Sequence, residues 1–85
     1  MRVVVVYKLE SDHAREVLSY LRDFEHQTGR KLDEVNPDSR EGADFCRAHD
    51  IVEYPTVIAL RDDGQMQNLW RGTPLPTISE VSFYV

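Results

Sequence analysis

The chain has 85 residues, 10 of them basic and 15 acidic, for a net charge of -5, and 41% of it is hydrophobic. That composition suits one small globular domain, too short for two cores and too ordinary for a disordered or collagen-like chain. The acidic balance argues against nucleic-acid and anionic-membrane partners, and the single cysteine can form neither an internal disulfide nor a Cys-x-x-Cys pair. No apolar stretch approaches the roughly 20 residues of a membrane helix. The start lacks the small-residue cleavage site of a signal peptide. The expectation is a single soluble, cytoplasmic domain over residues 1–85.

Val3 to Val6 is a β-branched run without alternation, which predicts a strand buried on both faces. Ala14, Val17, Leu18, Leu21 and Phe24 then fall at helical spacing between charged residues, predicting a helix from Ser11 to Thr28. Ser11 stands where an N-cap belongs, and Gly29 stands where the helix should stop. Lys31 to Val35 predicts a polar, edge-like strand, broken by Asn36-Pro37. Asp38 and Glu41 resemble a capping box at the start of a second helix ending near His49, with Gly42 as its weak point.

Thr56 to Leu60 predicts an apolar strand directly after Pro55. Asp62-Asp63-Gly64 predicts a hairpin turn, and Met66 to Arg71 an antiparallel return. By parity, Met66 and Trp70 should share one face of that strand. A short final helix should follow Pro74, with Pro76 in its first turn and Ile78, Val81 and Tyr84 facing inward. The order βαβ, α, ββ, α implies an α/β fold with a mixed sheet of about four strands flanked by helices.

These residues resemble the thioredoxin and glutaredoxin family over the whole chain. The segment Val3 to Arg15 is similar to the glutaredoxin start. Ile51 to Leu60, followed by Asp-Gly, a strand and Gly72, is similar to the thioredoxin second half. Tyr54-Pro55-Thr56 and its spacing to Gly64 and Gly72 are the most specific parts. In redox-active members two cysteines open the first helix, where its dipole stabilises a thiolate. The resemblance places Ser11 and Ala14 there, and Val5 where thioredoxins keep a buried carboxylate. A site without thiols cannot exchange disulfides, so the expected domain is redox-inactive and needs no cofactor. Ser11, Asp12 and His13 do not form a triad, because neighbours at a helix start fan out by about 100° each.

The resemblance also implies what the corner still offers. In relatives the peptide bond before the proline is cis, and the preceding residue turns its backbone toward a groove that accepts an extended segment. The leading expectation is a module binding an unidentified protein or peptide, its groove bordered by Leu9, Ser11, His13, Tyr54, Pro55 and Thr73. The alternative is a glutathione-binding carrier or transferase-like protein using Ser11, Lys8 and the Tyr54 backbone. Against it, Gly72-Thr73-Pro74-Leu75 stands where glutaredoxins carry Gly-Gly-x-Asp, so one carboxylate anchor is missing. A third possibility is a scaffold or self-association domain acting through Trp70 and the edge strands. Cys46 aligns with a small core residue and is expected to be a buried, inert thiol. With His49 it would supply only two metal ligands, short of the four in a structural zinc site, so no metal centre is expected.

Overall fold

Val3, Val4, Val5 and Val6 are all buried, because the strand that carries them lies inside a sheet covered on both faces. A computed structural model describes residues 1–85. Its elements are β1 (Arg2–Val6), α1 (Ala14–Thr28), β2 (Asp33–Val35), α2 (Arg40–Ala48), β3 (Thr56–Leu60), β4 (Met66–Arg71) and α3 (Ile78–Ser82). The sheet has four strands in the order β2-β1-β3-β4. β1 runs parallel to β2, with Val5 opposite Glu34, and antiparallel to β3, with Val5 opposite Val57. β3 and β4 are antiparallel.

The alternation of β1 divides the core in two. Val3, Val5 and Tyr7 pack with Val57 and Ala59 of β3, Val17 and Phe24 of α1, and Val81 of α3. Val4 and Val6 pack on the opposite face with Ile58, Leu60, Ile51 and Cys46 of α2. So α1 and α3 cover one face and α2 the other. Each such aliphatic side chain contributes about 1.5–3 kcal/mol when fully buried. These two clusters hold the fold without any covalent link.

The helix starts differ from the sequence expectations, each for a local reason. α1 begins at Ala14, not Ser11, and its N-cap is His13, whose side chain makes no cap bond. The Ser11 hydroxyl donates instead to the Lys8 carbonyl, at 2.6 Å, closing the turn between β1 and α1. Leu18 remains half exposed, since Val17 and Phe24 define the inward stripe. Gly29 ends α1 as expected, its N–H donating to the Glu25 carbonyl at 2.8 Å.

For α2 the cap is Ser39 and not Asp38; its hydroxyl accepts from the Gly42 N–H at 2.9 Å and donates to the Asn36 carbonyl at 2.8 Å. The Asn36 side chain accepts the Asp38 N–H, which holds the preceding turn. Gly42 has a steric reason to be glycine. A Cβ there would fall on the Asn36 carbonyl, 2.6 Å from its carbon. β2 is shorter than expected, Asp33–Val35, because Leu32 turns into the core.

α3 is capped by Thr77, which forms a full capping box with Glu80, and Pro76 lies before the helix instead of in its first turn. β4 carries the largest departure. Leu60 pairs with Met66 but Ala59 pairs with Asn68, so Gln67 is an extra residue in a β-bulge. The bulge reverses the parity of the strand. Met66, half exposed, faces with Leu60, while Trp70 pairs with Val57 and packs on the α1 and α3 side. The expectation of a shared face fails for that reason.

Candidate functional site

The turn after β1 and the loop before β3 meet at one end of the sheet. Residues 7–13 reach that end because β1 stops at Val6 and the Tyr7 N–H adds one last bond to the Val35 carbonyl, at 3.2 Å. Lys8 is the centre of the turn. Its carbonyl accepts the Ser11 hydroxyl, and its N–H donates to His13 Nε2 at 3.2 Å. An Nε2 that accepts leaves the imidazole proton on Nδ1. Ser11 and His13 are thus both engaged with Lys8 backbone and not with each other.

The Lys8 side chain crosses to the second loop. Its ammonium sits 5.3 Å from the centroid of the Tyr54 ring and 3.5 Å from the Asp38 carboxylate. Both charged groups are well exposed, so the ion pair adds less than about 1 kcal/mol. Its effect is positional: it ties three loops together around Tyr54.

The Tyr54–Pro55 peptide bond is cis, and so is Thr73–Pro74. Pro55 is buried, and its carbonyl accepts the Gly72 N–H at 2.8 Å, continuing the β3–β4 ladder by one bond. Gly72 has φ 72°, and a Cβ there would come within 2.9 Å of the Glu53 carboxylate. The Thr56 hydroxyl donates to the Glu53 carbonyl at 2.5 Å and closes the loop from inside. Neither the N–H nor the carbonyl of Tyr54 has a hydrogen-bond partner in the chain. Those two groups lie just beyond the last paired residue of β3, next to the exposed Val52.

Of the residues singled out in the sequence, Lys8 is the link: its backbone holds Ser11 and His13, and its ammonium lies over the ring of Tyr54, the neighbour of Pro55. Leu9 and Thr73 are exposed and are bonded to none of these. Asp38 was missed as a member of the cluster; read as a helix cap, it is the charge partner of Lys8. Glu53 was missed as well, and only its place beside Tyr54-Pro55 and opposite Gly72 could have indicated it.

Cys46 lies beneath this corner. It is buried, and burial pushes its thiol above the usual range; the neighbouring Tyr54 hydroxyl offsets part of that. Burial also raises the Tyr54 phenol, helped by Cys46 and the Asp38 carboxylate. The His49 ring lies against Phe45, with centroids 4.4 Å apart and planes at 37°, and its Nδ1 is 3.0 Å from the Phe45 carbonyl. No group of three or more His, Cys, Asp or Glu side chains converges anywhere in the chain. No helix is long and apolar enough to cross a membrane.

No protein-family model matches the chain, and no curated protein matches it significantly. Among solved structures it is similar to thioredoxin 1 of the thermophilic eubacterium Thermosipho africanus. The TM-score is 0.66 at 15% identity, over 95% of this chain and 85% of that one. The fold is thioredoxin-like. An identity this low speaks for the backbone arrangement alone. Within the thioredoxin-like frame, the β1–α1 turn and the loop before β3 are neighbours by topology, since β1 and β3 are adjacent strands. That adjacency, not any single motif, is what puts Lys8 over Tyr54.

Proposed function

We propose that this chain is a redox-inactive thioredoxin-like module that binds an extended protein or peptide segment beside Pro55. The observation that carries the reading is the pair of unbonded main-chain groups on Tyr54, at the end of a sheet and on a residue whose ring lies under the Lys8 ammonium. An N–H and a carbonyl on one residue can pair with an incoming strand as one more rung of a β-ladder. Water can satisfy the same groups, so the reading requires a bound segment and not just a shaped loop. Leu9, Val52 and Thr73 are exposed on the loops of this corner and would take its side chains.

Redox inactivity is supported by the residues at the corner. Ser11 commits its hydroxyl to Lys8, Ala14 carries no reactive atom, and the one thiol, Cys46, is buried with its pKa raised. A thiol that stays protonated is a poor nucleophile. A single unpaired thiol also suits a reducing compartment, and we place the protein in the cytoplasm on that ground. Glutathione is the weaker ligand, because the Lys8 ammonium that would hold its carboxylate already faces Asp38.

The test starts from random linear peptides selected on the immobilised chain. A selected peptide is then titrated into isotope-labelled protein. The amides of Lys8, Ser11, His13 and Tyr54 should shift together and saturate at one midpoint. Selected peptides that move other amides and leave these silent refute the placement; a selection that enriches nothing refutes peptide binding. Reduced glutathione at millimolar concentration should leave the same amides unmoved.

A further inference from the structure

Away from the Pro55 corner, the outer edge of the sheet meets α3 in a depression of about 370 Å³, lined by Asn68, Trp70, Ser79, Glu80, Phe83 and Tyr84. Three of its six walls are aromatic. Trp70 and Tyr84 have ring centroids 5.6 Å apart with planes at 75°, and Tyr84 and Phe83 have centroids 5.6 Å apart with planes at 73°. The middle ring therefore stands nearly perpendicular to both others, so the aromatic surfaces form a corner instead of a flat patch.

The polar walls are held in place. Asn68 donates from its Nδ2 to the Tyr84 hydroxyl at 3.1 Å, and its Oδ1 accepts the Leu69 N–H at 2.8 Å, so the amide is oriented from both ends. Glu80 Oε1 accepts from the Thr77 N–H and the Thr77 hydroxyl, at 3.1 and 3.0 Å, which fixes the carboxylate in the first turn of α3. Glu80 is the only charged residue in the lining, and no lysine or arginine shares it. Phe83 is 85% exposed, more than any other large hydrophobic side chain.

We infer that this depression is a binding site for an organic cation, an alkylated ammonium or a guanidinium group. Aromatic faces attract such cations through their quadrupoles, and a quaternary or guanidinium group sheds water more readily than a simple ammonium. The carboxylate of Glu80 supplies the counter-charge. A purely apolar occupant would strip water from that carboxylate without replacing it, and an anion would be repelled. The cation could arrive free or on a side chain of a partner protein; the chemistry of recognition is the same.

Trp70 is the only tryptophan in the chain, which makes its fluorescence a reporter for this site alone. Tetramethylammonium chloride should change that emission saturably in the millimolar range. Sodium chloride at matched ionic strength and neopentyl alcohol, a neutral analogue of similar shape, should not. Phe83→Leu keeps an apolar side chain but removes the π face, and it should weaken binding about threefold or more. Glu80→Gln keeps the capping box, which accepts Gln, and should weaken binding about threefold at low salt with an unchanged melting temperature. Choline compared with a peptide bearing trimethyl-lysine or arginine identifies the source: tighter choline binding points to a free ligand, tighter peptide binding to a partner's side chain. The assignment is overturned if the neutral analogue binds as well as the cation. It is also overturned if no saturable change occurs, or if neither substitution weakens binding.

Discussion

Replacing Gly42 by alanine should destabilise this protein, although the same change in an ordinary exposed helix gains about 0.5–1 kcal/mol. The sign reverses because of what lies outside the helix. The new methyl would fall on the Asn36 carbonyl, 2.6 Å from its carbon and 2.8 Å from the Ser39 hydroxyl oxygen. These are a backbone group and a cap in use, so neither can step aside without breaking a bond. Overpacking of this kind costs about 1–3 kcal/mol. Displacing the Ser39 cap adds about 1 kcal/mol. Set against the propensity gain, the net loss should be about 1–3 kcal/mol.

Urea unfolding followed by far-ultraviolet circular dichroism should show a lower midpoint with an unchanged slope. Ser39→Ala, which removes only the cap, should lose about 1 kcal/mol and serve as the reference. The same loop carries Asp38, so the Lys8 and Tyr54 amides should shift in the Gly42→Ala variant despite their distance in sequence. A variant as stable as the parent, or more stable, would refute the claim that close approach dictates this glycine.

Further outcomes follow from titrating groups and from the thiol. Tyr7 and Tyr20 are both pushed up to about 12 from 10.0, in each case chiefly by burial and secondarily by a nearby carboxylate, Glu34 or Glu80. The folded chain then keeps two protons that the unfolded chain releases, so stability should be intact below pH 10 and fall as pH rises towards 12. Thermal melts across that range should show a flatter decline for the Tyr7→Phe, Tyr20→Phe double variant. Tyr20→Phe by itself should be neutral or stabilising near neutral pH, because its hydroxyl is buried without a partner. Tyr7→Phe should lose about 0.5–1.5 kcal/mol with its 2.6 Å bond to Glu34; the reverse ranking in denaturant melts would contradict both assignments. Cys46 should react slowly with a thiol reagent in the native protein and rapidly in urea, and native reaction at the free-thiol rate would show the burial to be wrong. With insulin and dithiothreitol, the chain should leave the uncatalysed rate of disulfide reduction unchanged.

The parts of the fold that could be read in the sequence were those whose signal is apolar pattern. The four consecutive valines of β1 and the run from Thr56 to Leu60 read as central strands, since they are short, rich in β-branched residues and apolar without alternation. Features decided by contacts between distant segments were not legible. Ser11 has the chemistry of a cap, yet the carbonyl of Lys8 competes for it, and no local rule says which wins. Gly42 looked like a helix defect because the Asn36 carbonyl that demands it lies outside the helix. At the candidate site, Tyr54 and Lys8 stood out as residues, but the role of Asp38 depended on the loop after β2 folding back toward β1. The aromatic depression was hidden for a similar reason: the bulge at Gln67 decides which way Trp70 faces.

That bulge has a consequence for how molecules of this protein meet. An open sheet ends in two strands with unpaired main-chain groups, and a long flat edge invites a neighbour to add itself and start a stack. Here one margin, β2, is only three residues long and carries Asp33 and Glu34 on its surface. The other, β4, is longer, but its spacing is interrupted one residue from its start, so an incoming strand in regular register would lose step at Gln67. A chain with no disulfide to restrain it thus protects itself against edge-to-edge aggregation by being brief and acidic on one side and out of step on the other.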